Sequence, residues 1–250
     1  MILLNSIGLI GDAIGSLPAT YALATAHANQ NIYCYFAHKQ IFGMIPPKYS
    51  NIKPIEVLDG PHLDVRQFDL TGAFAYATYN NLHMTQAHFK FLGLPVPSIP
   101  IRPELHIIED QNYTFDYGDI DYAIAPFSRS LPEDQKWPKH KWQQLVDSMP
   151  DKKFLLFGDS RHDNRILIHG VNVSYMFDFP LNSVAQQMQK LKSGVISVVT
   201  GISHMAHALK VKNYLLECQG SWGVNPDAIR IHAPVHQISV EEVQQLLIKN

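Results

Sequence analysis

Cysteine is nearly missing from this chain. Its 250 residues hold only Cys34 and Cys218, too far apart for a disulfide framework or a CxxC metal motif, and a pattern that fits a reducing cytosol. Long apolar runs are missing as well: no stretch is long enough to span a bilayer, and Met1 to Ser6 lacks the basic start and apolar core of a signal peptide. The expectation is a soluble, cytoplasmic protein, for which peripheral contact with the inner face of a membrane stays possible. Charge of one sign is also absent. A formal net charge of −2 argues against a nucleic-acid partner gripped by bulk electrostatics, because such proteins carry a basic excess. It leaves room for an anion held by a few placed groups. What the chain does have is apolar residues, 46% of the total, enough to bury a sizeable core in one large domain or two small ones.

Read from the amino end, Ile2 to Leu4 is a short buried strand, followed by a loop with Gly8, Gly11 and Gly15. A helix is then predicted from about Leu17, with Pro18 in the first turn, where proline is tolerated. Ile32 to Phe36 is the next strand, and Asn80 to Leu92 carries a helical pattern that Gly93 closes. Four prolines between Pro95 and Pro103 cannot lie inside a helix and mark a linker. Beyond it the rhythm is regular. Tyr122–Ala125, Phe154–Phe157, Val171–Tyr175, Val195–Val199 and Tyr214–Leu216 read as strands, and Lys139–Met149, Leu181–Leu191 and Ser203–Leu209 as helices. Ser239 and Glu242 form a capping box that opens a last helix reaching Ile248. Such alternation implies parallel sheets covered by helices, here in two α/β lobes, 1–103 and 104–250.

In an open parallel sheet ligands bind beyond the carboxyl ends of the strands, so the polar residues that follow each strand are the candidates. After Ala125 come Ser128, Arg129 and Ser130, then Lys136; after Phe157 come Gly158, Asp159 and Asp163; after Val199 come Thr200, Gly201, Ser203 and His204, which run into a helix. Thr200 or Ser203 can cap that helix while amides after Gly201 meet a phosphate, aided by the helix dipole. The plainer alternative makes Ser128 and Ser130 turn residues, and Arg129 and Lys136 solvated charges. Gly8, Gly11 and Gly15 do not have G-x-G-x-x-G spacing, which disfavours a dinucleotide-dependent dehydrogenase. Asp12 reads either as a helix-start residue or as a general base at a strand's carboxyl end.

His204 and His207 share a helix face, yet no third ligand stands nearby in sequence, so no metal site is expected. Trp137 and Trp142 are anchors of a loop and helix, with stacking of Trp137 on a base as the sharper option. Trp222 is a hydrophobic plug or borders a ligand. Tyr76, Tyr79 and His83 line a groove or face the core.

Three of these segments carry a family resemblance. Gly11-Asp12 with Leu17-Pro18, then Ala125 to Ser130 with Lys136-Trp137-Pro138, then Thr200-Gly201 with His204, resemble, in that order, motifs of the heptosyltransferase-like bacterial glycosyltransferases of family nine. The resemblance covers most of the chain, least well from Ile45 to Thr78. It implies a GT-B architecture of two Rossmann-like lobes with parallel sheets and a cleft between them, the first lobe taking the acceptor and the second a nucleotide sugar. It implies inverting transfer of a sugar, a heptose among the candidates, from a nucleotide-diphosphate donor to a glycan or lipopolysaccharide-type acceptor, with the donor as co-substrate and no other cofactor. Asp12 would be the base. Ser128, Arg129, Ser130, Lys136, Thr200, Gly201, Ser203 and His204 would hold the diphosphate, and Gly158, Asp159 and Asp163 would face the nucleoside. Two departures stand out: Val199 replaces the usual Asp before Thr-Gly, and the chain is shorter than typical members. They keep two alternatives open, a relative that binds a nucleotide sugar without catalysis and a nucleotide-sugar epimerase.

Overall fold

The computed structural model describes residues 2–6, 8–55, 66–109, 117–129, 131–160, 168–217 and 226–250. They form two compact units, the first built on residues up to Ile108 and the second on the chain from Glu109 onward. The segment after the prolines still belongs to the first unit. Tyr21 donates its hydroxyl hydrogen to the Glu104 carbonyl, Lys48 pairs with the Glu104 carboxylate, and His106 N–H donates to Met44 O.

The first unit holds β1 (Ile2–Ser6), α1 (Ile10–Ala26), β2 (Ile32–Phe36), β3 (Ile52–Pro54), β4 (Arg66–Asp69), α2 (Ala73–Tyr79) and α3 (Met84–Phe91). Its sheet runs β3-β2-β1-β4, every pair parallel. Three features depart from the sequence expectation. Strands β3 and β4 had no prediction. Helix α1 begins at Ile10 rather than near Leu17, so Gly11, Gly15 and Pro18 all lie inside it. Packing explains this early start. Nearly every residue of the first three turns is buried, and Gly15 lets α3 come so close that a Cβ there would stand 2.3 Å from Met84 Cε. Burial on that scale overrides the low helix propensity of glycine and proline. The helix predicted over 80–92 is shorter, starting as α3 only at Met84, and α2 before it had no prediction. Asn81 takes a left-handed conformation, and His83 caps α3 by accepting the Thr85 N–H on Nδ1. The end at Gly93 is a Schellman closure: Gly93 N–H bonds Lys90 O and Leu94 N–H bonds Phe89 O.

The second unit holds β5 (Tyr122–Ala125), α4 (Lys139–Asp147), β6 (Phe154–Gly158), β7 (Val173–Phe177), α5 (Leu181–Gln189), β8 (Gly194–Val198), α6 (Gly201–Ala208), β9 (Asn213–Glu217), β10 (Ile229–His232) and α7 (Val240–Lys249). Its sheet runs β10-β9-β8-β5-β6-β7, again wholly parallel. Counted from β5, that is the 3-2-1-4-5-6 order of a dinucleotide-type Rossmann sheet. Trp142, Phe154, Tyr214, Ile196 and Val243 fill one core cluster. The capping box of α7 forms as expected, with Ser239 N–H on Glu242 Oε2 at 2.7 Å and Glu242 N–H on Ser239 Oγ at 3.1 Å.

Candidate functional site

Sheet order locates the candidate sites. Where neighbouring strands of a parallel sheet send their connections in opposite directions, the two loops diverge and leave a crevice at the carboxyl edge. In the second unit this happens between β5 and β8, whose ends lie side by side through the Ala125–Ser197 pairing. The loop after β5 carries Ser128 and Arg129, and the loop after β8 carries Thr200 and the start of α6.

Thr200 is the extended N-cap of α6, with φ −155° and ψ 169°. Ser203 Oγ accepts the Thr200 N–H at 3.1 Å and donates to Thr200 O at 2.6 Å. Ser203 is fully buried, so of its two readings the geometry supplies the cap. The amides of Ser203 and His204 turn to Thr200 O. Those of Gly201 and Ile202 are the first-turn donors to which helix geometry gives no acceptor, and they sit at the positive end of the dipole. His204 is half-buried on the same turn. The two candidate cations that follow β5 already hold partners. Arg129 Nη2 lies 2.9 Å from Asp159 Oδ2, which ties the loop after β5 to the loop after β6, and Lys136 Nζ lies 2.6 Å from Glu133 Oε1. Solvent-open pairs of this kind are worth about 0–1 kcal/mol, so an arriving anion competes with them readily. Gly158 ends β6, and Ser160 beyond it bonds Asp178 through both its N–H and its hydroxyl. Ser130, Asp163 and Trp222 lie outside the described residues.

Trp137 is not a stacking platform. It is buried, its Nε1–H donates to Ile238 O at 2.8 Å, and its ring meets Trp142 edge to face at 4.8 Å. Among the described residues no three His, Cys, Asp or Glu side chains gather as a metal set. His207 instead packs inward, with Nδ1 3.4 Å from Asp227 Oδ2.

In the first unit the corresponding point lies between β1 and β4, joined by the Asn5–Asp69 pairing. Asp12 stands there in the first turn of α1, half-buried, and accepts the Leu9 N–H on Oδ2 at 2.8 Å. Burial raises its pKa, and hydrogen bonds from the backbone of Leu9 and of Asp12 itself partly oppose that. The geometry thus supplies the helix-start reading, the carboxylate closing the first turn of α1. Gly8 makes the placement possible, since a Cβ there would stand 2.3 Å from Asp12 Cβ and Oδ2. Sequence reasoning assigned no such role to Gly8. It also passed over Asn5, whose Oδ1 is buried without a hydrogen-bond partner beside this edge, and the buried Glu217, 2.8 Å from Arg230 Nε at the end of β9. A strand-end position was the available signal for both polar residues. Of the groove candidates, Tyr76 packs against Phe91, Tyr79 is exposed and His83 caps α3.

No family model and no curated protein sequence matches the chain. Solved structures do. The E. coli heptosyltransferase WaaC with ADP superposes with a TM-score of 0.69 at 14% identity over 99% of each chain. The fold is GT-B. The glycosyl transferase family 9 protein from Veillonella parvula gives a TM-score of 0.68 at 15% identity over 100% of this chain and 97% of its own. Dodecameric iron-containing heptosyltransferase TibC in complex with ADP-D-beta-D-heptose gives 0.71 at 13% over 99% and 75%. Two Rossmann-like units with parallel sheets are thus the two halves of a GT-B fold.

Proposed function

We propose that this protein is an inverting glycosyltransferase that takes a nucleotide-diphosphate sugar on its second unit and an acceptor hydroxyl on its first. The observation that carries the reading is the helix mouth of α6 at the switch point of a 3-2-1-4-5-6 sheet, with Thr200, Gly201 and His204 beside the Ser128–Arg129 loop. That WaaC is seen with ADP and TibC with ADP-D-beta-D-heptose supports a donor of this class.

In the reaction the acceptor oxygen attacks the anomeric carbon as the bond from that carbon to the diphosphate oxygen breaks. The acceptor proton passes to the Asp12 carboxylate, and the nucleoside diphosphate departs with the bonding pair. Negative charge builds on the leaving oxygens, so donors fixed before the reaction, the α6 amides with Ser128 and the cations Arg129 and Lys136, stabilise the transition state more than the ground state. Ser130 joins this set, and Gly158, Asp159 and Asp163 the nucleoside side, on the strength of the sequence resemblance. The donor is a co-substrate, and the acceptor is a glycan or glycolipid hydroxyl.

The test is Asp12→Asn. Asparagine keeps an oxygen for the Leu9 N–H but cannot take a proton. Transfer should fall at least about a hundredfold while nucleotide binding stays unchanged; full activity would remove Asp12 from the mechanism. Val199, in the place where the resemblance expects a carboxylate, favours a second reading, a protein that binds the donor without turning it over. Tight donor binding with no product from any acceptor would select it.

A further inference from the structure

The two units follow one plan, down to single residues. Asn51 Nδ2 donates to the carbonyls of Ala24, His27 and Gln30, and Asn51 O accepts the Ile32 N–H. Asn172 Nδ2 does the same for Val146, Met149 and Lys152, and Asn172 O accepts the Phe154 N–H. Both sets have the same spacing in sequence, and the two asparagines directly precede β3 and β7. Strand pairing keeps the same frame: Ile2 lies opposite Ile32 and Arg66, as Tyr122 lies opposite Phe154 and Gly194. Counted along the strands, the Asn5–Asp69 pair at the carboxyl edge of the first sheet is therefore the counterpart of Ala125–Ser197 in the second.

At these two matched places the units differ. Ala125 and Ser197 are buried, and the Ser197 hydroxyl is taken up by Asn213 Oδ1 at 2.9 Å. Asn5 is half-buried and Asp69 exposed. Directly opposite residues of a parallel ladder point to the same face, so this amide and this carboxylate stand side by side at the β1/β4 switch point. Asp69 Oδ1 accepts the Thr71 N–H at 2.9 Å and the Thr71 hydroxyl hydrogen, which fixes the carboxylate; no described residue donates to Oδ2. Asn5 Oδ1 is buried without a partner, and the desolvation penalty of such an oxygen is removed by a donor that arrives with a ligand. Two acceptors side by side call for a group that donates. A sugar hydroxyl does, whereas an ionised phosphate or carboxylate only accepts.

We infer that Asn5 and Asp69 are the acceptor-binding pair, taking neighbouring hydroxyls of a neutral sugar ring. The inference rests on the glycosyltransferase reading and names the acceptor contacts within it. The experiment uses the full chain with whichever nucleotide-diphosphate sugar raises its melting temperature, and three acceptor probes, the methyl α-glycosides of glucose, galactose and mannose. At least one should be glycosylated. Asn5→Leu, close in shape but without the amide, should raise KM for that glycoside about tenfold with kcat little changed. It should also melt no lower than the parent, because an unpaired buried oxygen is gone. Asp69→Asn, which keeps an oxygen for Thr71, should likewise raise KM about tenfold through loss of a charge-assisted hydrogen bond. The rise in melting temperature given by the donor should be the same in both variants as in the parent. A parent-like KM in either variant overturns the inference, as does transfer to none of the three glycosides while the donor binds. A melting temperature several degrees lower in Asn5→Leu makes Asn5 a structural residue and overturns it too. If no donor binds, the glycosyltransferase reading itself fails and the acceptor pair falls with it.

Discussion

Asp12 is held by two opposed forces, and their balance sets how it responds to pH. Burial favours its neutral form, while the amide of Leu9 favours the carboxylate; burial is the larger, and the pKa rises above the ordinary value of 3.8. A carboxyl whose folded pKa is raised binds its proton more tightly in the folded state. Its contribution to stability is complete below 3.8 and is lost as pH rises through the raised value. At neutral pH ionised Asp12 therefore costs stability that Asp12→Asn does not incur. The variant should melt no lower than the parent at pH 7, and somewhat higher if the cap is kept, with the gain vanishing below about pH 3.8. A melting temperature several degrees lower at pH 7 would show that the carboxylate mainly serves the fold. Asp12 as a candidate was legible from Gly11-Asp12 and Leu17-Pro18. Its setting was not, because the clearance between Gly8 and Asp12 arises only once the helix starts at Ile10.

Helix termini and helix packing carry the next layer. If the amides that open α6 hold a phosphate, one can be deleted without disturbing the helix. Proline fits the first helical position, and Thr200 before it is already extended. Gly201→Pro should leave the fold intact by circular dichroism and weaken nucleotide-diphosphate binding about tenfold, the worth of one charge-assisted hydrogen bond; unchanged affinity would place the phosphate elsewhere. In the first unit α1 and α3 meet at His88, whose Nδ1 lies 3.1 Å from Gly15 O. A carbonyl only accepts, so Nδ1 carries the proton of a neutral ring. Burial lowers the His88 pKa from 6.5 to about 4. The stability that follows is present above pH 6.5 and is lost as pH falls toward about 4, on the order of 3 kcal/mol in all. Urea unfolding at pH 7 and pH 5 should show a large acid loss in the parent and a much smaller one in His88→Gln, which can still donate to Gly15 O. An equal acid loss in both would exclude His88 as its source. Periodicity located α4, α5 and α7 well, because each is amphipathic, and the Ser239 cap marked the start of α7. It missed the true start of α1, since a helix of small buried residues has no polar face to reveal its period. Strand β4, Arg-Gln-Phe-Asp in sequence, carries too little apolar signal to be seen alone.

For the molecule as a whole, alternation of strand and helix announced parallel sheets but could not order their strands. Register and order depend on pairings between residues remote in sequence. They are what turn Ser128, Arg129, Thr200 and Gly201 from scattered polar residues into two loops of one switch point. The proposed function puts a nucleotide-diphosphate sugar at this point. The most direct measurement is the melting temperature of the protein against the sugars of ADP, UDP, GDP and CDP, with Gly201→Pro in parallel. A ligand at a hundred times its dissociation constant adds about 2.7 kcal/mol, or roughly 5–10 °C for a chain of this size. Such a rise is expected for one nucleotide class, and a smaller one in Gly201→Pro. No rise with any of the four, at millimolar concentration, would contradict it.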